Sequence, residues 1–449
     1  MRNLNPKSAP AAPLRLLCAC LLTFAMTSCA TDPSTLANAS TNEFNVRKFG
    51  AKGDGINFDT AAIQNALDAC EDTGGTVEFP AGTYLSKPLT LHSKTTVKLD
   101  AGATLQASTN QSDFMKTPGD WLKARGNGDF IPFIGGRHLT DVTLTGGVID
   151  GGGAVWWGEA EKARRIKPGY TLPRPNLIII EQCKNLLLKD ITLQNSPRFH
   201  FVPTECEGVV ASNVTVLAPE HAANTDAIDP SGCKDVLITK CHIDVGDDNI
   251  AIKAGRKVAG REFASEDITV TDCVFLHGHG MSIGSETAGG VRHVTVRNCA
   301  FENTENGIRI KSQRGKGGLV ENIICDGITM KNVDPAITLT CYYANNSAGD
   351  TIAPAAADHT MKMSERIPVY RNIRISNLTA TCPKAAGTIA GLPESCITGV
   401  VLENVKISAA KSFEIRNARG VELKNVTVTV PKGEAFKLNN AQVEGLNSH

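Results

Sequence analysis

Two short acidic clusters, Asn224-Thr225-Asp226 and Gly246-Asp247-Asp248, place Asp226 and Asp247 21 residues apart in this 449-residue chain. Gly278-His279-Gly280 and Arg309-Ile310-Lys311 follow. Together they offer three carboxylates, an imidazole and two cations. Glycosidic hydrolysis needs one carboxylic acid to protonate the leaving oxygen and a second carboxylate to activate water. A neighbouring cationic pair suits a substrate with carboxylates of its own, Arg acting as a fork and Lys as a point charge. The set fits hydrolysis of an anionic polysaccharide, provided one surface gathers all four clusters.

Burying three unpaired carboxylates is costly, so these acids must be exposed, paired or functional. If they converge, repulsion raises at least one pKa and leaves a protonated acid beside ionised ones. Period two along Asp247 to Lys253 points Ile250 and Ile252 inward and Asp247, Asn249, Ala251 and Lys253 outward. Asp248 falls on the inward parity, so the strand must begin after it or a bulge must turn it out. Arg309 and Lys311 share a parity opposite Ile308 and Ile310 and are expected as an outward cationic pair. His279, between glycines, meets little local crowding.

A repeat is what could position them. Short aliphatic runs bounded by polar or glycine turns recur from Asn185 onward: Leu186–Leu188, Val209–Ala211, Val236–Ile238, Ile268–Val270, Val294–Val296, Ile323–Cys325, Ile373–Ile375, Val400–Leu402 and Val421–Leu423. Such runs read as strands, and no amphipathic helix separates them. The pattern predicts an all-β fold, a right-handed parallel β-helix, in which residues one coil apart stack at about 4.8 Å. One helix is expected near the N-terminus, where Ile63, Ala66, Leu67 and Cys70 repeat at i, i+3, i+4 and i+7. Asp59 or Thr60 can cap it, and the helix would cover the open end of the solenoid. Two polar loops, 110–129 and 158–174, break the rhythm. The second carries Lys162, Arg164, Arg165, Lys167 and Arg174, a basic group that fits either a solvated loop or a cleft wall.

Hydrophobic content is 41%, aromatic content 5%, and 46 basic residues balance 46 acidic ones. Without a basic stripe there is no nucleic-acid footprint. Arg2, Lys7 and Arg15 followed by apolar 16–26 form a leader too short to span a bilayer. Met26-Thr27-Ser28-Cys29 fits a lipid-attachment site at Cys29; the alternative is ordinary cleavage near Ala30. The expected organisation is a signal peptide over 1–29, a polar linker over 30–43 and one β-helix domain over 44–449. The chain would be exported: secreted, periplasmic or anchored at an outer membrane, with membrane contact only through Cys29, and it is expected to act as a monomer. Beyond the leader, cysteines recur once per coil, as at Cys183 and Cys206 or Cys273, Cys299 and Cys325, which predicts ladders of buried thiols. Cys382 and Cys396 are the expected disulfide. No ligand spacing for a metal is visible, and no cofactor is expected.

The four clusters, in this order and with Asn224-Thr225-Asp226-Ala227-Ile228-Asp229 and Gly278-His279-Gly280-Met281-Ser282-Ile283-Gly284-Ser285 around them, resemble the signature of glycoside hydrolase family 28, the polygalacturonases. Phe49-Gly50-Ala51-Lys52-Gly53-Asp54-Gly55 and Phe79-Pro80-Ala81-Gly82-Thr83-Tyr84 resemble the opening of many pectin-acting β-helices. Ala227 stands where glycine is common. The resemblance implies hydrolysis of α-1,4 bonds in polygalacturonate with inversion. It implies Asp247 as general acid, its pKa raised by its neighbours, Asp226 and Asp248 as the carboxylates that activate water, and His279 as support for the acid. Asn224, Arg309, Lys311 and Tyr342 are implied at the sugar, with Tyr343 adjacent to the last. Elimination by a pectate lyase, hydrolysis of rhamnogalacturonan, and glycan binding without catalysis are the alternatives.

Overall fold

The computed structural model describes residues 42–167, 170–255, 257–258, 261–343 and 358–446. The leader with Cys29, and all but the end of the 30–43 linker, lie outside the described residues. From Glu43 onward the chain winds as a parallel β-helix. Each central coil carries up to three strands, as in Lys184–Lys189, Thr192–Gln194 and Phe201–Thr204, where sequence periodicity marks mainly the first.

Coils stack in register. Leu186, Val209, Val236, Ile268, Val294, Ile323, Ile373 and Val400 form one continuous buried column. Each such side chain contributes about 1.5–3 kcal/mol by leaving water. Two positions earlier runs a charge ladder: Lys184, Glu207, Lys234, Glu266, Arg292, Glu321 and Arg371. Such surface pairs stabilise little individually, but like charges directly opposite are unfavourable, so the alternation favours this register.

Between the two columns one residue per coil turns left-handed: Asp141, Asn185, Gly208, Asp235, Asp267, His293, Asn322, Asn372 and Gly399 all have φ between 54° and 71°. Asn, Asp and Gly tolerate this conformation best. The amides join consecutive coils, Asn185 donating to Asp141 (2.8 Å) and Asn372 to Asn322 (3.2 Å). The sequence shows these only as scattered polar residues.

Helix α1, Thr60–Asp68, packs on the first coils through Ile63, Ala66 and Leu67. Asp59 precedes it without capping it: its carboxylate instead accepts from the backbone N–H groups of Lys52 (2.6 Å) and Gly53 (2.9 Å). The predicted polar loop over 158–174 is partly helical. Helix α2, Ala154–Ile166, plugs Trp156 into a cluster with Phe114, Trp121 and Phe130, members of the other rhythm-breaking stretch and its end.

Cys183 and Cys206 stack as predicted and Cys233 continues their column, each preceding a rung of the charge ladder, while Cys273 and Cys299 stack in a second column that Cys241 joins. Cys325 leaves that column. It pairs with Val296 and Ile375, three residues before the position in register with Cys299, because the coil between them is longer than the spacing of the cysteines. Cys382 and Cys396 are both free thiols, against the expected disulfide.

Candidate active site

One column of strands carries the site: Ile178–Glu181, Phe201–Thr204, then Ile228 by single bridges, Ile250–Ile252, Met281–Gly284, Ile308–Lys311 and Ile337–Thr340. The four sequence clusters lie on this column and on the turns that lead into it. Ala227 N–H bonds to Asp248 O (3.0 Å), Asn249 N–H to Gly280 O (3.1 Å) and Met281 N–H to Gly307 O (3.1 Å), so successive turns are locked one above another. Gly278 and Gly280 have φ of 87° and 69°; a Cβ would stand 2.4 Å from Asp247 O at the first and 2.1 Å from Asn306 O at the second. The glycines around His279 are therefore demanded by backbone approach, beyond the room they give the ring.

Asp247 Oδ2 accepts from the backbone and side-chain amides of Asn224 (3.2 and 3.4 Å). Its Oδ1 lies 3.1 Å from His279 Nδ1, whose other nitrogen is 2.9 Å from Glu305 Oε2. Burial disfavours the imidazolium, yet the Asp247 charge and the two carboxylate hydrogen bonds push His279 up to about 10. For Asp247 burial works upward and is outweighed by His279, Lys311 and Arg309, which hold it well below the usual carboxylate range. The expected raised pKa on Asp247 is thus corrected: in the resting site the neighbouring proton sits on His279.

Asp248 is buried, with Ile250–Ile252 beginning after it as the parity required. It takes Arg309 Nη2 at 2.5 Å, Lys311 Nζ at 2.8 Å and Ser282 Oγ at 2.8 Å. Burial opposes its ionisation, but Lys311 and Arg309 keep it ionised to low pH. Arg309 and Lys311 keep the shared face predicted for an outward cationic pair, and both are buried against Asp248, 6% and 4% exposed. Asn249 also departs from the outward expectation. Its amide turns inside to His277 O (2.9 Å) and accepts from Gly280 N–H (2.8 Å), bracing the His279 turn.

Asp226 is the acid whose pKa rises, driven by burial and then by Asp229 and Asp247, with Lys253 opposing. Lys253 Nζ bridges Asp226 Oδ2 (3.2 Å) and Asp229 Oδ2 (2.6 Å). Tyr342 donates its hydroxyl to Asp358 and receives Asn417 (3.3 Å), while the Tyr343 ring centroid stands 5.0 Å from Lys311 Nζ. Asp247, Asp248 and His279 offer ligand atoms within 4.8 Å of one another. The oxygens of Asp248 are already taken by two fixed cations, so the trio is a charge network and a poor metal centre.

Residues 70–430 match the sequence profile of glycosyl hydrolases family 28. The chain belongs to this family. This family 28 hydrolase is 33% identical over 371 residues to an endo-polygalacturonase of Pectobacterium carotovorum subsp. carotovorum, covering 80% of this chain and 86% of that one. It shares its fold with the polygalacturonase from Erwinia carotovora ssp. carotovora, at TM-score 0.67 and 32% identity over 87% of this chain and 94% of that one. The exopolygalacturonase from Thermotoga maritima matches at TM-score 0.70 and 26% identity, over 87% and 92%. Membership makes the chain a glycoside hydrolase, so neither elimination nor binding without catalysis describes it.

Several residues of the hydrolase site escape sequence reasoning. Arg174 is buried; its guanidinium donates to Pro197 O (2.9 Å), Ala223 O (3.1 Å) and Asn224 Oδ1 (2.9 Å), fixing the amide that faces Asp247. Of the basic group in 158–174, it is this residue that reaches the site; Lys162 and Arg165 pair with Glu159 and Glu161 on exposed α2. His200, buried and pulled down to about 4 by that burial, is neutral. It donates from Nδ1 to Asp226 O (3.1 Å) and accepts from Ser196 N–H (3.3 Å). Asp229, Lys253 and Glu305 lie three to five residues from recognised clusters; parity placed Lys253 on the outward face, but not at the acids.

Proposed function

We propose that this hydrolase cleaves α-1,4 bonds of polygalacturonate, the charged backbone of pectin, with inversion. The observation that carries the reading is the buried group in which the protonated His279–Asp247 pair adjoins Arg309 and Lys311. A sugar carboxylate that reaches the two cations shares them with Asp248. That withdraws positive charge from Asp247 and favours transfer of the His279 proton onto it. Asp247 then protonates the glycosidic oxygen as the C1–O bond breaks. Water, losing its proton to Asp226, attacks C1 from the other side, with Asp248 orienting it. Asn224 steadies Asp247, the Tyr343 ring flanks Lys311, and Tyr342, adjacent in the chain and held by Asp358, meets the sugar. No step uses a metal or cofactor. The leader supports an exported enzyme, attached through Cys29 or released.

Release of reducing ends from polygalacturonate, with products sized and the new anomer read by NMR at early times, tests this. Retention of configuration would overturn the water-activating roles. Faster release from rhamnogalacturonan than from polygalacturonate would move the enzyme to that substrate.

A further inference from the structure

Asp226 and Asp229 are both almost wholly buried, 3% and 1% exposed. One oxygen of each, Oδ1, has no N–H or hydroxyl donor among the described residues. Lys253 holds the two carboxyl groups together through their Oδ2 atoms, and a buried orphan oxygen on each would be unfavourable if both groups were ionised. A single proton removes the difficulty, because the Asp226 carboxyl can then donate to that of Asp229. Lys253, bridging the two Oδ2 atoms, leaves the protonated pair electrically balanced. Its ammonium is also held over the Phe199 ring, at 4.3 Å from the centroid, and cannot swing away freely.

We infer that Asp229 shares a proton with Asp226 and that Lys253 balances the pair, so that these two positioning residues set the basicity of the carboxylate that activates water. The inference rests on the water-activating role proposed for Asp226. When the shared proton sits on Asp229, Asp226 is ionised and accepts the proton that water loses. Afterwards both carboxyls are protonated, and the excess proton leaves to solvent to restore the pair. Burial, with the Asp247 charge adding to it, raises Asp226 towards the pH at which it must work, which is what general-base efficiency requires. Asp248, held ionised by two cations, is a weak base by comparison. Around the pair stand Asp247 and Asp248 from the next coil, Arg174 and Arg198 from the preceding turns, neutral His200 behind the Asp226 carbonyl, and Glu286 beyond Lys253.

The test uses the full exported chain and two variants, Asp229→Asn and Lys253→Met. Replacing the neighbouring acid removes the hydrogen bond that protonated Asp229 gives to ionised Asp226 and should raise the acid limb of kcat/KM on polygalacturonate by about one pH unit, and removing the cation should likewise raise it by about one. Infrared difference spectra give a readout without substrate. The band of a protonated carboxyl near neutral pH should be present in the wild type and lost in Asp229→Asn. Acid limbs unmoved in both folded variants, with that band retained in Asp229→Asn, would overturn the inference. If the wild type hydrolyses no polygalacturonate, the substrate reading fails, and the infrared band alone decides whether the proton is shared.

Discussion

Asp247 and His279 meet at 3.1 Å between Oδ1 and Nδ1, and one proton serves both. Replacing the acid removes its destination. Asp247→Asn should keep the fold, since Asn224 and His279 remain near isosteric partners, and lower hydrolysis by roughly 10² to 10⁴. Turnover near that of the wild type, measured as reducing ends, would displace Asp247 from the acid role.

The same pair makes a pH prediction about stability. The folded-state pKa of His279 is raised, to about 10. Its stabilisation is therefore complete below the unfolded value of about 6.5 and is lost as pH rises towards about 10. The melting-temperature difference between wild type and His279→Gln should be largest near pH 6 and shrink steadily into the alkaline range. A difference independent of pH would show that the imidazole contributes through packing alone.

Lys311 is expected to read substrate charge. Lys311→Ala should weaken use of polygalacturonate far more than any residual action on methyl-esterified chains. It should also destabilise the fold by about 3–5 kcal/mol at most, because Asp248 keeps Arg309. Parallel kcat/KM series on chains of graded esterification check this, and equal losses throughout would make the lysine structural.

A chelator should leave hydrolysis unchanged, since the Asp248 oxygens are bound by a guanidinium and an ammonium. Activity that disappears with chelation and returns with a divalent cation would replace the charge network by a metal site.

Thiol chemistry distinguishes ladders from bridges. A chain beginning at residue 30 should react slowly with a thiol reagent when native. It should titrate all eleven described cysteines once denatured without reductant. Nine thiols under those conditions would restore the Cys382–Cys396 bridge.

The legible part of this chain was what a period of one coil leaves in sequence. Aliphatic runs marked the core column, and the spacing of Asp226, Asp247, His279 and Arg309 placed them on one face. What local pattern misses is contact made across coils. Arg174 reaches Asn224 over a separation of 50 residues. Alternation failed at Asn249 because it occupies a turn, where its amide meets more backbone groups inside than outside. The protonation states were misjudged for a similar reason: repulsion among three acids was counted, but burial and Asp229 raise Asp226 against the pull of Lys253, while the imidazolium of His279, Lys311 and Arg309 hold Asp247 down.

The left-handed Asn, Asp and Gly ladder has an evolutionary corollary. Every coil closes on its neighbours by the same local rules, so inserting or deleting an even number of whole repeats outside 224–311 would preserve the core, left-handed and alternating-charge ladders alike. The strand column would change length by about 4.8 Å per coil while its centre kept its chemistry. Reach along a polymer and the bond-breaking step can thus diverge independently. A single-residue insertion inside a rung has no such freedom, because it would turn a core column out to water.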